Sequence, residues 1–108
     1  MPYQDVFPKF GELDLVLPPG FSDVSHSTHA MPTFNMVLPN GNVLRLQIDF
    51  EDKALSKFPN QPRFCLSVFS AGGIRMHDDI QNNSWIETTI IVRGLQEFHT
   101  VHSSNREP

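Results

Sequence analysis

Thr33-Phe34-Asn35-Met36-Val37-Leu38-Pro39-Asn40-Gly41-Asn42-Val43-Leu44-Arg45-Leu46-Gln47-Ile48-Asp49-Phe50 is the stretch on which the architecture turns. Its large apolar residues fall on even positions in both halves: Phe34, Met36 and Leu38, then Leu44, Leu46, Ile48 and Phe50. Arg45, Gln47 and Asp49 stand between them. A period of two marks strands with one buried face, and Pro39-Asn40-Gly41 between the two runs marks a hairpin.

The loop length follows from which side chains must meet. A two-residue Asn40-Gly41 loop would set Met36 opposite Arg45 and Phe34 opposite Gln47, mixing the faces, because directly opposed residues of an antiparallel pair share a side. A three-residue loop of Pro39, Asn40 and Gly41 sets Met36 opposite Leu44 and Phe34 opposite Leu46. Turn chemistry points the same way: Pro39 supplies the φ of a type I turn, and Gly41 supplies the left-handed residue of the bulge that follows.

Working outward, Leu13, Leu15 and Leu17 alternate with Glu12, Asp14 and Val16, which predicts another strand, ended by Pro18-Pro19-Gly20. Residues 1–11 read as an extended arm, since Pro2 and Pro8 interrupt any pattern. Ser22 to Ala30 is polar, a loop or frayed edge strand. Beyond the hairpin, 51–58 has the composition of two helical turns closed by Pro59. Phe64, Leu66 and Val68 face one way and Cys65 and Phe69 the other, so a strand there is central in its sheet. Ala71-Gly72-Gly73 turns the chain into a short returning strand at Ile74 to His77. Asp78 to Asn83 reads as a loop. Ser84 to Arg93 is dense in β-branched residues and predicts a strand. Leu95 to His102 is either a short helix or a last strand, and 103–108 reads as a disordered tail.

The expected fold is mainly β, or α+β. It has one antiparallel sheet or a small sandwich of about five to seven short strands, with at most one or two short helices near 51–58 and 95–102. The chain's 108 residues suit one domain. Nine prolines chop the chain into short segments and forbid any long helix, and nine phenylalanines supply bulk for a core.

Composition narrows function mainly by exclusion. A single cysteine, Cys65, allows no internal disulfide, and its place between Phe64 and Leu66 suggests a buried small hydrophobe. The first residues lack a signal-peptide pattern and no apolar run approaches a membrane span, so a cytoplasmic, membrane-free setting is the expectation. Twelve Asp and Glu against eight Lys and Arg give a net charge of −4, which disfavours nucleic acid as a partner and makes a basic protein one candidate. There is no phosphate-cradling glycine loop and no Gly-x-Ser-x-Gly, and no cofactor is implied.

Three functional readings remain. The first is a small non-catalytic interaction module of inhibitor, immunity or accessory type. It acts through exposed sheet edges, the 22–30 loop with His26 and His29, and a polar sheet face. That face collects odd-numbered residues: Arg45, Gln47, Arg63, Phe69, Arg75 and His77, beside Asn35 and Ser67. Its partner is another protein, or a second copy joined by edge-strand pairing. The second is a metal- or His-dependent small hydrolase using His26, His29, His77 and Asp79, with the three histidines as metal ligands. His-x-x-His spacing at 26/29 and 99/102 motivates it, although such pairs share a side only on a helix. The third is a single-stranded nucleic-acid binder using Arg45, Arg63 and Arg75 around the aromatic.

Overall fold

The computed structural model describes the backbone of residues 2–104 and the side chains of residues 2–98. Five antiparallel strands follow one another across a single sheet in chain order: β1 (Ser22–Asp23), β2 (Thr33–Val37), β3 (Val43–Ile48), β4 (Phe64–Phe69) and β5 (Ile80–Asn82). A one-turn helix, α1 (Tyr3–Val6), precedes the sheet and a long helix, α2 (Trp85–Ser104), follows it.

The hairpin has the three-residue loop. Met36 pairs with Leu44 and Phe34 with Leu46. The Leu38 N–H donates to the Asn42 carbonyl at 2.7 Å and the Gly41 N–H to the Leu38 carbonyl at 2.9 Å. Gly41 takes φ +89°, which an L side chain adopts only under strain. The parity carries into β4, where Leu66 opposes Leu46 and Val68 opposes Leu44. Leu44, Leu46, Ile48, Leu66 and Val68 are all buried against one face. Each such side chain contributes about 1.5–3 kcal/mol on leaving water.

Two pieces cover that face. The first is the N-terminal segment. It was expected to be extended, but it coils into α1 and a 3₁₀ turn at Pro8–Phe10. Aromatic edges anchor it: Tyr3 lies 5.7 Å from Phe10 and 5.9 Å from Phe34, and Phe10 5.2 Å from Phe50. The Tyr3 hydroxyl accepts the Leu13 N–H at 2.9 Å. Leu13, Leu15 and Leu17 pack inward as their alternation indicates, yet residues 13–17 join no ladder and are not a strand. A bidentate ion pair from Arg63 to Asp14, at 2.8 and 3.2 Å, fastens this segment to the sheet.

The second piece is α2, and it corrects both the expected strand at 84–93 and the expectation that the prolines forbid any long helix, since no proline falls between Pro62 and Pro108. Trp85, Thr88, Val92 and Leu95 recur at spacings of three and four and press on the core, with Trp85 5.1 Å from Phe64. The helix begins where Ser84 Oγ accepts the Glu87 N–H at 3.2 Å. Asn82 accepts the Ser84 N–H through Oδ1 at 2.6 Å and donates to the Glu87 carboxylate at 2.8 Å. Thr88 and Thr89 send their hydroxyls back to the carbonyls of Ser84 and Ile86, which satisfies these polar groups within the helix. β-branched content therefore misleads here, because a helical burial stripe overrides it.

Other expectations change in smaller ways. The helix takes in 95–102 and runs to Ser104, so the tail expected from residue 103 overlaps it, and 105–108 lie outside the described residues. Over 51–58 only Lys53–Leu55 is helical, a 3₁₀ turn capped by Asp52. Ile74 to His77 contributes one isolated bridge, Phe69 to Arg75, and the returning strand is instead β5, inside the segment read as a loop. The polar 22–30 stretch holds the frayed edge, β1. No described helix is long and apolar enough to cross a membrane.

Candidate functional site

The second face of the sheet is built by the odd residues of the same strands, and no described helix covers it. Cross-strand pairing arranges it in three rows. Val37, Val43 and Phe69 lead to the bridge at Arg75; Asn35, Arg45 and Ser67 form the next row; Thr33, Gln47, Cys65 and Gln81 form the third. Val37 is 73% exposed at one corner. The 24–32 loop covers only the far end, where Ser25 Oγ accepts the Thr33 N–H at 3.0 Å and Thr33 is buried.

Phe69 stands between two guanidinium groups, Arg45 at 5.1 Å from its centroid and Arg75 at 5.3 Å. The two arginines differ in what neutralises them. Arg75 pairs with Asp79, whose Oδ1 also accepts the Ser67 hydroxyl at 2.8 Å. Arg45 donates through Nε to Asn35 Oδ1 at 3.1 Å, is half-buried, and has no carboxylate partner among the described residues. A hollow of 270 Å³ opens beside it, lined by Asn35, Val43, Arg45, Phe69, Ser70, Ala71 and Gly73.

Two titratable groups border this face. Cys65 sits half-buried in the third row, and burial, then the Asp79 charge, push its thiol above the ordinary value. Burial first, then the Arg45 charge and His26, hold His29 below the usual imidazole range.

The residues singled out in the sequence divide into those the sheet gathers and those it scatters. Arg45, Gln47, Phe69 and Arg75 share the open face. Arg63 does not join them. Its Nε donates to the Asp49 carbonyl at 2.9 Å, its η nitrogens hold Asp14, and it lies 5.2 Å from the Phe64 ring, so it is spent on holding the N-terminal segment. The arginine trio of the nucleic-acid reading is thus broken: Arg63 is elsewhere, and Arg75 is already neutralised.

The histidines are also apart. His26 and His29 adjoin, with rings 6.3 Å apart, in the loop between β1 and β2 at one rim of the sheet. Both Nδ1 atoms are occupied: that of His29 accepts the His26 N–H at 3.0 Å, and that of His26 accepts the Thr28 N–H at 3.2 Å. His77 precedes β5 at the opposite rim, its Nδ1 2.9 Å from the Asp78 carbonyl, beside Met76, Leu95 and Phe98. Asp79 is held by Arg75 and Ser67 and touches no histidine. Among the described residues, no three His, Cys, Asp or Glu side chains gather as a metal site requires.

Sequence reasoning missed the Asn35 contact that orients Arg45 and the apolar corner at Val37 and Val43. The signal was present, since the hairpin register that pairs Phe34 with Leu46 also pairs Asn35 with Arg45 and Val37 with Val43. No family model matches this chain, and neither a curated protein nor a solved structure matches it significantly.

Proposed function

We propose that this chain is a non-catalytic protein-interaction module, of inhibitor, immunity or accessory type, that receives its partner on the open face of the sheet. The observation that carries the reading is Phe69, set between Arg45 and Arg75 on a face that no described helix covers. Aromatic and arginine side chains supply most of the energy at protein interfaces, because both bury large area and hydrogen-bond or stack in defined directions. The exposed Val37 and half-buried Val43 extend the patch with apolar surface, and the short edges β1 and β5 with the 22–30 loop frame it. The net charge of −4 steers basic surfaces toward the molecule at long range, while the contact face, with its two arginines, suits an acidic segment of that partner.

The test is co-purification from the native host in mild salt, followed by hydrogen-exchange footprinting of the recovered complex. Protection is expected over β2, β3, β4 and the 22–30 loop. Phe69→Ala with Arg45→Ala should weaken the complex by about 2 kcal/mol or more, roughly thirtyfold. A footprint confined to the outward side of α2, where Ile86 and Ile90 are exposed, sinks the reading, and so does affinity that survives the double substitution.

A further inference from the structure

Resting on that reading, we propose that the hollow beside Phe69 takes a single carboxylate from the docked partner, gripped by the outer nitrogens of Arg45. The argument begins with what a half-buried guanidinium needs. Its five N–H donors carry a full charge, and drawing them partly out of water costs free energy that a carboxylate normally offsets. Arg63 and Arg75 have theirs, in Asp14 and Asp79. Arg45 has one hydrogen bond, from Nε to Asn35, and the Phe69 ring.

That single bond sets direction. With Nε tied to Asn35 and the stem fixed in β3, the guanidinium is held in one orientation, and both η nitrogens remain without a hydrogen-bond partner among the described residues. Two parallel N–H donors form the fork that a carboxylate matches with its two oxygens. The hollow, about 270 Å³, has room for a carboxymethyl or carboxyethyl group, and Val43, Phe69 and Ala71 give it apolar surface against which the carbon stem of that group can rest.

The charge count favours a monoanion. Arg75 is neutralised by Asp79, and no lysine lies among the residues of the three rows, so one net positive charge faces the hollow. A phosphate dianion is ordinarily met by several Arg or Lys or by a run of backbone N–H groups, and neither is present here.

The experiment is an NMR titration of the full chain, following the Arg45 Nε–Hε signal and the backbone amides of Val43 and Phe69. Four probes are added at low salt: a blocked pentapeptide with one central glutamate and an amidated end, an all-alanine pentapeptide with a free C-terminal carboxylate, the glutamine counterpart of the first, and inorganic phosphate. A saturable shift is expected with a carboxylate peptide, at a Kd on the order of millimolar for one charge-assisted fork. Whichever carboxylate peptide binds more tightly identifies the source, side chain or chain terminus. Arg45→Gln should abolish the shift and Arg45→Lys weaken it at least tenfold, since the ammonium keeps the charge and loses the fork, whereas Arg75→Gln should change affinity less than threefold.

Equal response to the glutamine peptide, tighter binding of phosphate, unchanged affinity in Arg45→Gln, or no shift with either carboxylate peptide overturns the carboxylate assignment. None of these touches the docking reading, which the footprint of the native complex judges separately.

Discussion

The two faces of this sheet are made by alternate residues of the same strands and have opposite fates. The even face is filled: Leu44, Leu46, Ile48, Leu66 and Val68 lie beneath α2 and the aromatic anchors of the N-terminal segment. The odd face carries Asn35, Arg45, Ser67, Phe69 and Asp79, linked by hydrogen bonds and ring contacts; Ser67 is buried, and Asn35, Arg45 and Phe69 stay partly exposed. The contrast teaches that core packing and polar surface have been separated by parity, so substitutions one residue apart in β3 should affect different properties.

The largest expected effect tests that separation directly. Leu46→Ala should cost about 2–5 kcal/mol in urea unfolding, through lost burial and the cavity left behind. Arg45→Gln, at the adjacent position, should cost less than about 1 kcal/mol. Similar losses at the two positions would erase the distinction between the faces.

A pair of glycine substitutions sharpens the role of the loop that fixes the parity. Gly41→Ala should destabilise by about 1–2 kcal/mol, because Gly41 occupies φ +89°. Gly94→Ala should stabilise by about 0.5–1 kcal/mol, because Gly94 lies within α2 and an added Cβ meets nothing within 4 Å. Thermal melts of both variants check the opposite signs.

Smaller still is a pH effect at the rim of the open face. Burial and the Arg45 charge depress the His29 pKa, so the folded chain keeps this imidazole neutral while the unfolded chain protonates it near the ordinary value of 6.5. Stability contributed above 6.5 should therefore decline as pH falls below it, by less than about 0.5 kcal/mol after solvent screening. His29→Gln should flatten the melting temperature between pH 7.5 and 5.5. The Asp14 contribution does not intrude on that window. Its hydrogen bond to Arg63 lowers its pKa below 3.8, so it is present above that value and lost in stronger acid.

The last prediction uses Cys65, on the open face. With its thiol pKa raised by burial, alkylation by iodoacetamide at pH 7.5 should be slower than for a free cysteine peptide. A docked partner should slow it further. Alkylation that is unaffected by the partner would place the docking surface elsewhere.

The fold was legible where the physics was local. Register in the 33–50 hairpin followed from parity and turn chemistry, and the inward set Leu13, Leu15 and Leu17 followed from alternation even though no ladder forms there. The helix at 85–104 was misread because Ile86, Thr88, Thr89, Ile90, Ile91 and Val92 carry strand composition. The countersignal was Ser84-Trp85-Ile86-Glu87, a serine followed three residues later by a glutamate, together with apolar positions at 85, 92 and 95. On the candidate site, parity placed Arg45, Gln47, Phe69 and Arg75 together correctly. It erred on Arg63, whose number is odd but which stands one residue before β4 and sends its long side chain aside to Asp14, forty-nine residues away in sequence. A partner that distant leaves no local pattern. The histidine grouping failed for a related reason: His26 and His77 belong to opposite rims, and strand order across a sheet is not written in any one segment.

The three-residue turn at Pro39, Asn40 and Gly41 also limits how this molecule can vary over evolutionary time. Adding or deleting one residue there would present Arg45 to the interior and Leu46 to water, inverting every later position of the strand at once. Only paired insertions keep inside and outside in place, so length drift at this corner should proceed in twos.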